Sequence, residues 1–273
     1  VEIQTGFITY KDSCIEYRKL GQDKPLIVLF HGFGDKAALF DPILNTLSQK
    51  FEVWAISLPY HGHTDWQEGT FSKDDINWLI NYLLRHTNKE RLSLLGYSMG
   101  GKIVLNMLQD FASITDQVIL LAPDGIKTHL LYDIHSVPLI YINFFKFLMK
   151  RPRLFFKTAK FFYKKRLLTK FLYDFTKNHF STAEQRQRFF MVSDSIRTFK
   201  PNLTLTKTLL KRYQIPVNLF LGVRDEVILP ETAKIFSVDL QNCSVKWLDK
   251  GHLLVDEDLN EPLLEAIKKK TIY

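Results

Sequence analysis

Gly96-Tyr97-Ser98-Met99-Gly100-Gly101 is the stretch on which the reading of this chain turns. An apolar run with the composition of a strand, Arg91-Leu92-Ser93-Leu94-Leu95, precedes it. A run with helical character, Lys102 to Leu108, follows at once. One serine therefore sits at a strand-to-helix turn, with a glycine two residues away on each side. At so tight a turn, side chains at the glycine positions would strike neighbouring backbone. The turn holds the serine in a strained conformation with its hydroxyl outward. The helix that begins there aims its first N–H groups at the same place. The pattern alone is a weak signal, because a glycine-rich turn around a buried or solvated serine reads the same way.

Outward from this turn, strands and helices alternate. Gly6 to Tyr10 and Ser13 to Arg18 alternate in strand fashion about a Lys11-Asp12 turn. Pro25 to Phe30 is a continuous apolar run, as in a parallel strand buried on both faces, and it ends in His31-Gly32-Phe33-Gly34-Asp35. Ala37 to Ser48 carries helical spacing. Phe51 to Leu58 predicts the next strand, followed by the loop Pro59-Tyr60-His61-Gly62-His63. Lys73 to Leu84 predicts an amphipathic helix, with Ser72 as N-cap and Asp75 three residues on. Gln117 to Ala122 predicts a strand that ends at Pro123-Asp124-Gly125.

From residue 126 to about 205 the runs are helix-like, with no clear strand. The alternation resumes at Pro216. It gives a strand at Val217–Leu221, a loop at Gly222–Pro230 and a helix at Glu231–Phe236. A strand at Ser244–Leu248, a loop carrying His252 and a helix from Leu259 to Lys270 complete it. Two initial strands and then alternation predict an α/β fold, an open and mostly parallel sheet with helices on both faces. Functional groups on such sheets gather at the carboxyl ends of the strands. His31 to Gly34, Ser98, Asp225 and His252 all fall at such ends.

These residues have the chemistry of acyl transfer. A serine hydroxyl is a poor nucleophile until a base takes its proton, and histidine has a pKa suited to the task. The imidazolium that forms needs a carboxylate to orient it, and the oxyanion needs fixed N–H donors. The parts occur in the order Ser98, Asp225, His252. The backbone N–H groups of Met99, directly after the serine, and of Phe33, after the Pro25–Phe30 strand, are the expected oxyanion donors.

On these motifs the chain resembles the α/β-hydrolase superfamily over about residues 6–125 and 213–270. His31-Gly32-Phe33-Gly34 is similar to its oxyanion loop, and Gly96 to Gly101 to its nucleophile elbow. Asp225 and His252 are similar to its acid and base. The resemblance implies a helical cap inserted after the sixth strand, with residues 1–125 and 213–273 as core and 126–212 as cap. Within the superfamily this elbow is common in small esterases, carbon–carbon bond hydrolases and a lyase of menaquinone synthesis. Serine at the elbow argues against relatives that use aspartate there. One departure is Pro59-Tyr60-His61-Gly62, where the family often has Pro-Gly-His-Gly.

Other candidates are weaker. Asp124 also follows a strand and is an alternative acid, while Asp249 reads as a turn residue. His61 and His63 have no acidic partner at metal spacing and read as loop or core residues. His31 is expected to shape the oxyanion loop, and His129, His135 and His179 to lie on the surface. Neither a cofactor nor a metal is expected.

The chain has 273 residues, 46% of them hydrophobic and 24% charged, which suits one large domain with an insertion and excludes disorder. Its two cysteines, Cys14 and Cys243, read as buried free thiols rather than a disulfide. No signal peptide is legible at Val1 to Gly6, although Val1 in place of Met leaves an upstream leader open. The expected location is cytoplasmic.

Net charge is +8 and unevenly placed. Ile126 to Gln214 holds 12 Lys and 7 Arg against 3 Asp and 1 Glu. The remainder holds 18 basic and 25 acidic side chains, so the insertion has a task of its own. Tyr141 to Phe180 contains 13 aromatic residues and 11 Lys or Arg. In a helix after Pro152, the residues Phe156, Ala159, Tyr163, Leu167 and Phe171 would form one stripe and Arg153, Lys157, Lys160 and Lys164 another. The bland reading is an amphipathic cap helix with solvated lysines. Otherwise the face grips an acidic part of a substrate or rests on an anionic membrane, in which case the location is peripheral at the inner membrane surface. Nucleic acid is not an expected partner.

The leading expectation is a serine hydrolase of a carboxylic ester or similar acyl compound. One alternative is carbon–carbon cleavage or lyase chemistry on a small acidic metabolite. Another is a membrane-associated binding or scaffold protein on the same fold.

Overall fold

A computed structural model describes residues 2–126 and 147–268. His129, His135, Tyr141, Phe144, Phe145, Lys146 and the expected last helical turn at Lys270 lie outside the described residues. Eight strands form one sheet: β1 (Gln4–Tyr10), β2 (Ser13–Leu20), β3 (Leu26–Phe30), β4 (Glu52–Ile56), β5 (Leu92–Tyr97), β6 (Thr115–Leu121), β7 (Val217–Gly222) and β8 (Cys243–Leu248). Their order is β1-β2-β4-β3-β5-β6-β7-β8. β2 is antiparallel to β1 and to β4, and every other pairing is parallel. This is the fold class expected from the alternation. β3, β4, β5 and β7 are buried at every residue, as expected of predominantly apolar strands covered on both faces, with Glu52, Ser93 and Asn218 as their buried polar residues.

The helices are α1 (Asp41–Ser48), α2 (Lys73–His86), α3 (Met99–Phe111), α4 (Pro152–Lys164), α5 (Lys170–Phe180), α6 (Ala183–Ile196), α7 (Leu203–Arg212), α8 (Glu231–Ser237) and α9 (Asn260–Lys268). The single helix expected over Ala37–Ser48 is divided. Ala37–Phe40 is a 3₁₀ turn, and the α-helix starts at Asp41 with Pro42 in its first turn, where a missing N–H costs nothing. At α2 the expected cap is present: the Ser72 N–H and hydroxyl donate to Asp75 Oδ2 at 2.8 and 2.7 Å.

The chain forms two compact units. The first joins Val1–Thr128 to Thr198–Tyr273, and the second is His129–Arg197. The second is narrower than the expected 126–212 insertion because α7 belongs to the first. There Thr206 and Leu210 are buried, and the Thr206 hydroxyl donates to the Leu105 carbonyl of α3 at 3.3 Å. In the second unit, Leu148, Met149, Phe155 and Phe180 form a core backed by Phe156, Phe175, Phe189 and Phe190. The expected stripe is shorter than its spacing implied. α4 ends at Lys164 and the chain turns through Arg166 at φ 57°, so Leu167 leaves the stripe for solvent and Phe171 belongs to α5. Both cysteines are free. Cys14 is exposed, contrary to expectation, because it faces outward on β2 between buried Ser13 and Ile15. Cys243 is half-buried, and burial pushes its thiol up to about 11.

The β5–α3 turn is closed by its glycines. A Cβ at Gly100 would lie 2.0 Å from the Phe30 carbonyl oxygen of β3. One at Gly96 would lie 2.6 Å from the Gly100 oxygen, and one at Gly101 2.5 Å from Pro123 Cβ. Gly100→Ala is therefore expected to destabilise the protein by about 3 kcal/mol or more, read from urea unfolding. A loss below about 1 kcal/mol would mean that the strand and helix can part without cost.

Candidate active site

Ser98 occupies the turn with φ 49° and ψ −116°, a conformation a non-glycine residue keeps only when its surroundings impose it. Its N–H donates to the Leu121 carbonyl at 2.9 Å, and its carbonyl accepts from Gly101 and Asp124 N–H at 2.9 Å each. The backbone is thus fixed from the β6 side, and the hydroxyl turns away from the sheet toward His252. His252 Nε2 lies 2.9 Å from Ser98 Oγ, and His252 Nδ1 lies 2.9 Å from Asp225 Oδ2. The three residues predicted separately along 155 positions of chain form one hydrogen-bonded line.

The carboxylate of Asp225 is fully buried and held at both ends. Oδ1 accepts the Val227 and Ile228 N–H groups at 2.8 and 2.9 Å, which leaves Oδ2 for the imidazole. A carboxylate so supplied stays an acceptor and sets the tautomer of the histidine, with the proton on Nδ1 and the lone pair of Nε2 toward the serine. Asp124, the alternative acid, instead accepts its neighbour's N–H at Gly125. Asp249 pairs with Arg224 at 2.7 Å, in keeping with a turn residue.

The loop after β3 is held by two histidines. His31 Nε2 accepts the Leu58 N–H at 2.9 Å while Nδ1 donates to the Gly32 carbonyl at 2.7 Å. His61 Nε2 accepts the Gly34 N–H at 3.1 Å while Nδ1 donates to the Pro59 carbonyl at 2.9 Å. Each ring accepts at one nitrogen, so each is neutral. Full burial agrees, lowering the pKa of His31 to about 4. Asp35 N–H closes the turn on the Gly32 carbonyl at 3.3 Å, with Phe33 at its bend. Met99 opens α3, where an N–H has no intrahelical acceptor. Tyr60 takes φ 68°, the left-handed conformation that a glycine at this point would adopt without strain. Of the remaining histidines, His63 pairs with Glu16 at 2.7 Å, and His179 packs against Phe175 in the second unit, partly buried rather than on the surface.

Two residues that the sequence did not single out adjoin the line. A Cβ at Gly32 would lie 3.0 Å both from Asp35 Oδ2 and from the Tyr97 ring, so carboxyl and ring flank the same glycine. The Tyr97 ring lies 5.5 Å from that of His252, and its hydroxyl donates to the His252 carbonyl at 3.2 Å. Burial, with Asp35 and Asp225 nearby, holds the Tyr97 hydroxyl far above its ordinary range, so it stays a neutral donor. Burial raises Asp35 to about 6, opposed only by its attraction to His252. The one signal for Asp35 was its place at the end of His31-Gly32-Phe33-Gly34-Asp35. No group of three or more metal-ligating side chains occurs among the described residues.

Residues 25–258 match the family described as the alpha/beta hydrolase fold, and the chain belongs to it. An uncharacterized hydrolase of Bacillus subtilis, YugF, is 25% identical over 247 residues, covering 88% of each chain. An uncharacterized protein of Mycobacterium tuberculosis is 27% identical over 117 residues, 42% of this chain. That match spans 34% of the mycobacterial protein's length. Among solved structures, carboxylesterase CesB from Bacillus subtilis superposes with a TM-score of 0.64 at 18% identity, covering 98% of this chain and 92% of that one.

Asp35 gives a pH test. Its folded pKa of about 6 lies above the ordinary 3.8, so its ionisation opposes folding as pH rises through this window, and the cost persists above it. Asp35→Asn removes that cost. Relative to wild type, its stability should rise by about 2 kcal/mol between pH 4 and pH 8, read from urea unfolding at both. His31 acts with the opposite sign, since its neutral form adds stability that is lost as pH falls from 6.5 toward 4. It is common to both proteins and cancels. A difference that stays constant with pH would show that Asp35 is solvated.

Proposed function

We propose that the protein is a serine hydrolase of carboxylic esters or related acyl compounds. The observation that carries this reading is the continuous line from Ser98 Oγ through the His252 ring to the buried Asp225 carboxylate. Ser98 Oγ attacks the acyl carbon as its proton passes to His252 Nε2. Asp225 accepts the hydrogen bond from Nδ1–H and stabilises the imidazolium. The N–H groups of Phe33 and Met99 receive the oxyanion. Collapse of the tetrahedral intermediate breaks the bond to the leaving alcohol, which takes the proton from His252. A water then gives a proton to His252 and attacks the acyl-enzyme. The second collapse restores Ser98 and releases the acid.

Asp35 favours a neutral ester over a small acidic metabolite. Above pH about 6 it places a negative charge beside the oxyanion loop. No ion pair to it occurs among the described residues, so a substrate carboxylate there would meet repulsion. The second unit, His129–Arg197, is assigned as the cap of this enzyme on its position in the chain after β6.

A fluorophosphonate probe is expected to label the folded protein at Ser98, and Ser98→Ala to abolish labelling. On p-nitrophenyl esters of increasing acyl length, Asp225→Asn should lower kcat by about three to four orders of magnitude with little change in KM. Absence of labelling in folded protein, together with no turnover at any chain length, would remove the proposal. Turnover of a diketone acid without ester turnover would replace it with carbon–carbon cleavage.

A further inference from the structure

We propose that the outer face of α4 docks the protein on an anionic lipid bilayer. The inference does not depend on Ser98 being a nucleophile. It starts from what α4 leaves uncovered. Phe155 is buried in the core of the second unit, with Phe156, Ala159 and Tyr163 half-buried on the same side. An ordinary helix with that inner face would be polar outside. Here Leu154 and Phe161, seven residues apart and so on one line of the helix, are 42% and 55% exposed. Phe162, at 42%, and Leu167, just beyond the helix end, are exposed as well, as is Phe147 in the turn before α4, under the Arg151 guanidinium. Beside the Leu154–Phe161 line runs a second line at helical spacing, Arg153, Lys157, Lys160 and Lys164, all exposed.

Among the described residues no carboxylate compensates the charge on this face. From Lys150 to Arg166 there are eight Lys or Arg and no Asp or Glu. All eight are exposed, and none forms an ion pair among the described residues. The first unit behaves differently. It pairs Arg18 with Asp41, Lys19 with Glu52, Lys73 with Asp110 and Lys246 with Glu265. Eight cations with no carboxylate partner among the described residues, one of them (Arg151) stacked over the Phe147 ring at 3.8 Å, lie around exposed Phe and Leu side chains, and this matches the two layers of a bilayer surface, anionic headgroups and the acyl boundary beneath. Lysine and arginine stems can lie flat with their charges at headgroup level while Leu154 and Phe161 enter between lipids. No helix among the described residues is long and apolar enough to cross a membrane, so the contact proposed is peripheral.

Co-sedimentation of the full chain with vesicles tests this. Vesicles of phosphatidylcholine with about one third phosphatidylglycerol should bind the protein at low ionic strength, and pure phosphatidylcholine vesicles should not. Binding should fall at least about tenfold in high salt, where surface charge is screened. Lys157→Glu, Lys160→Glu and Lys164→Glu together should remove it. The milder pair Leu154→Ser and Phe161→Ser should weaken it at fixed salt while leaving the thermal unfolding and fluorophosphonate labelling of the protein unchanged. No binding to the anionic vesicles at low salt overturns the proposal, as does binding that survives charge reversal in a folded variant. Preferential capture by an oligonucleotide, with vesicles failing to compete, would reassign the face to nucleic acid and also overturn it.

Discussion

The approach of Gly100 to the Phe30 carbonyl is the contact on which the site depends. Only a residue without a Cβ fits there, since an added Cβ would come within 2.0 Å of the oxygen. That contact draws the start of α3 against the end of β3 and leaves a single residue to reverse the chain between β5 and α3. Ser98 is that residue, and its positive φ is the cost. The strain is held by neighbours on the other side, through the bond from Ser98 N–H to Leu121 and the packing of Gly101 on Pro123. Parallel register between β3 and β5, with Phe30 opposite Gly96, brings the loop carrying Phe33 and the turn carrying Ser98 to the same edge of the sheet.

Asp225 and His252 are tied to each other before either reaches Ser98. β7 and β8 run in parallel register from Val217 and Cys243 to Gly222 and Leu248. Beyond them the loops stay joined. Val223 N–H donates to Leu248 and Arg224 N–H to Lys250, and the Arg224 guanidinium holds both the carbonyl and the carboxylate of Asp249. At Gly222 a Cβ would come 2.3 Å from the Gly251 oxygen, so the backbone before Asp225 and that before His252 lie in contact. The spacing from Asp225 to His252 is thus set by backbone, and one hydrogen bond to Ser98 completes the arrangement.

The elements that carry the site were legible because each is a strand followed by a loop with its own signature. An unbroken apolar run, then glycine with serine or histidine, needs no knowledge of distant residues. What was not legible depends on partners far along the chain. Asp35 matters because Gly32, Tyr97 and His252 surround it, and no local pattern brings those together. Tyr97 passed for one more apolar residue in a strand, yet its hydroxyl meets a carbonyl 155 residues later. α7 read as part of a basic helical insertion by composition. Its place in the first unit follows from two buried positions, Thr206 and Leu210, in a helix otherwise half-exposed. The α4 stripe was right in its inner face and wrong in its reach, because spacing cannot show that a helix stops at Lys164.

The charges of the two units pull in different directions, and this bears on substrate class. Asp35 sets a negative charge beside Gly32 and Tyr97 at neutral pH, and among the described residues eight cations of the first unit pair with its own carboxylates. In the second unit Lys170 and Arg197 pair with Asp174 and Asp194, but the eight cations from Lys150 to Arg166 have no carboxylate partner among the described residues and lie among exposed aromatic side chains. Under the two proposals both charges have a reason. Anionic lipid holds the protein at a surface through the cations of α4, while a neutral acyl ester dissolved in that surface meets no charge barrier at Asp35. Adsorption then raises the local concentration of an apolar substrate that is scarce in water, a gain that requires no added contact in the site itself.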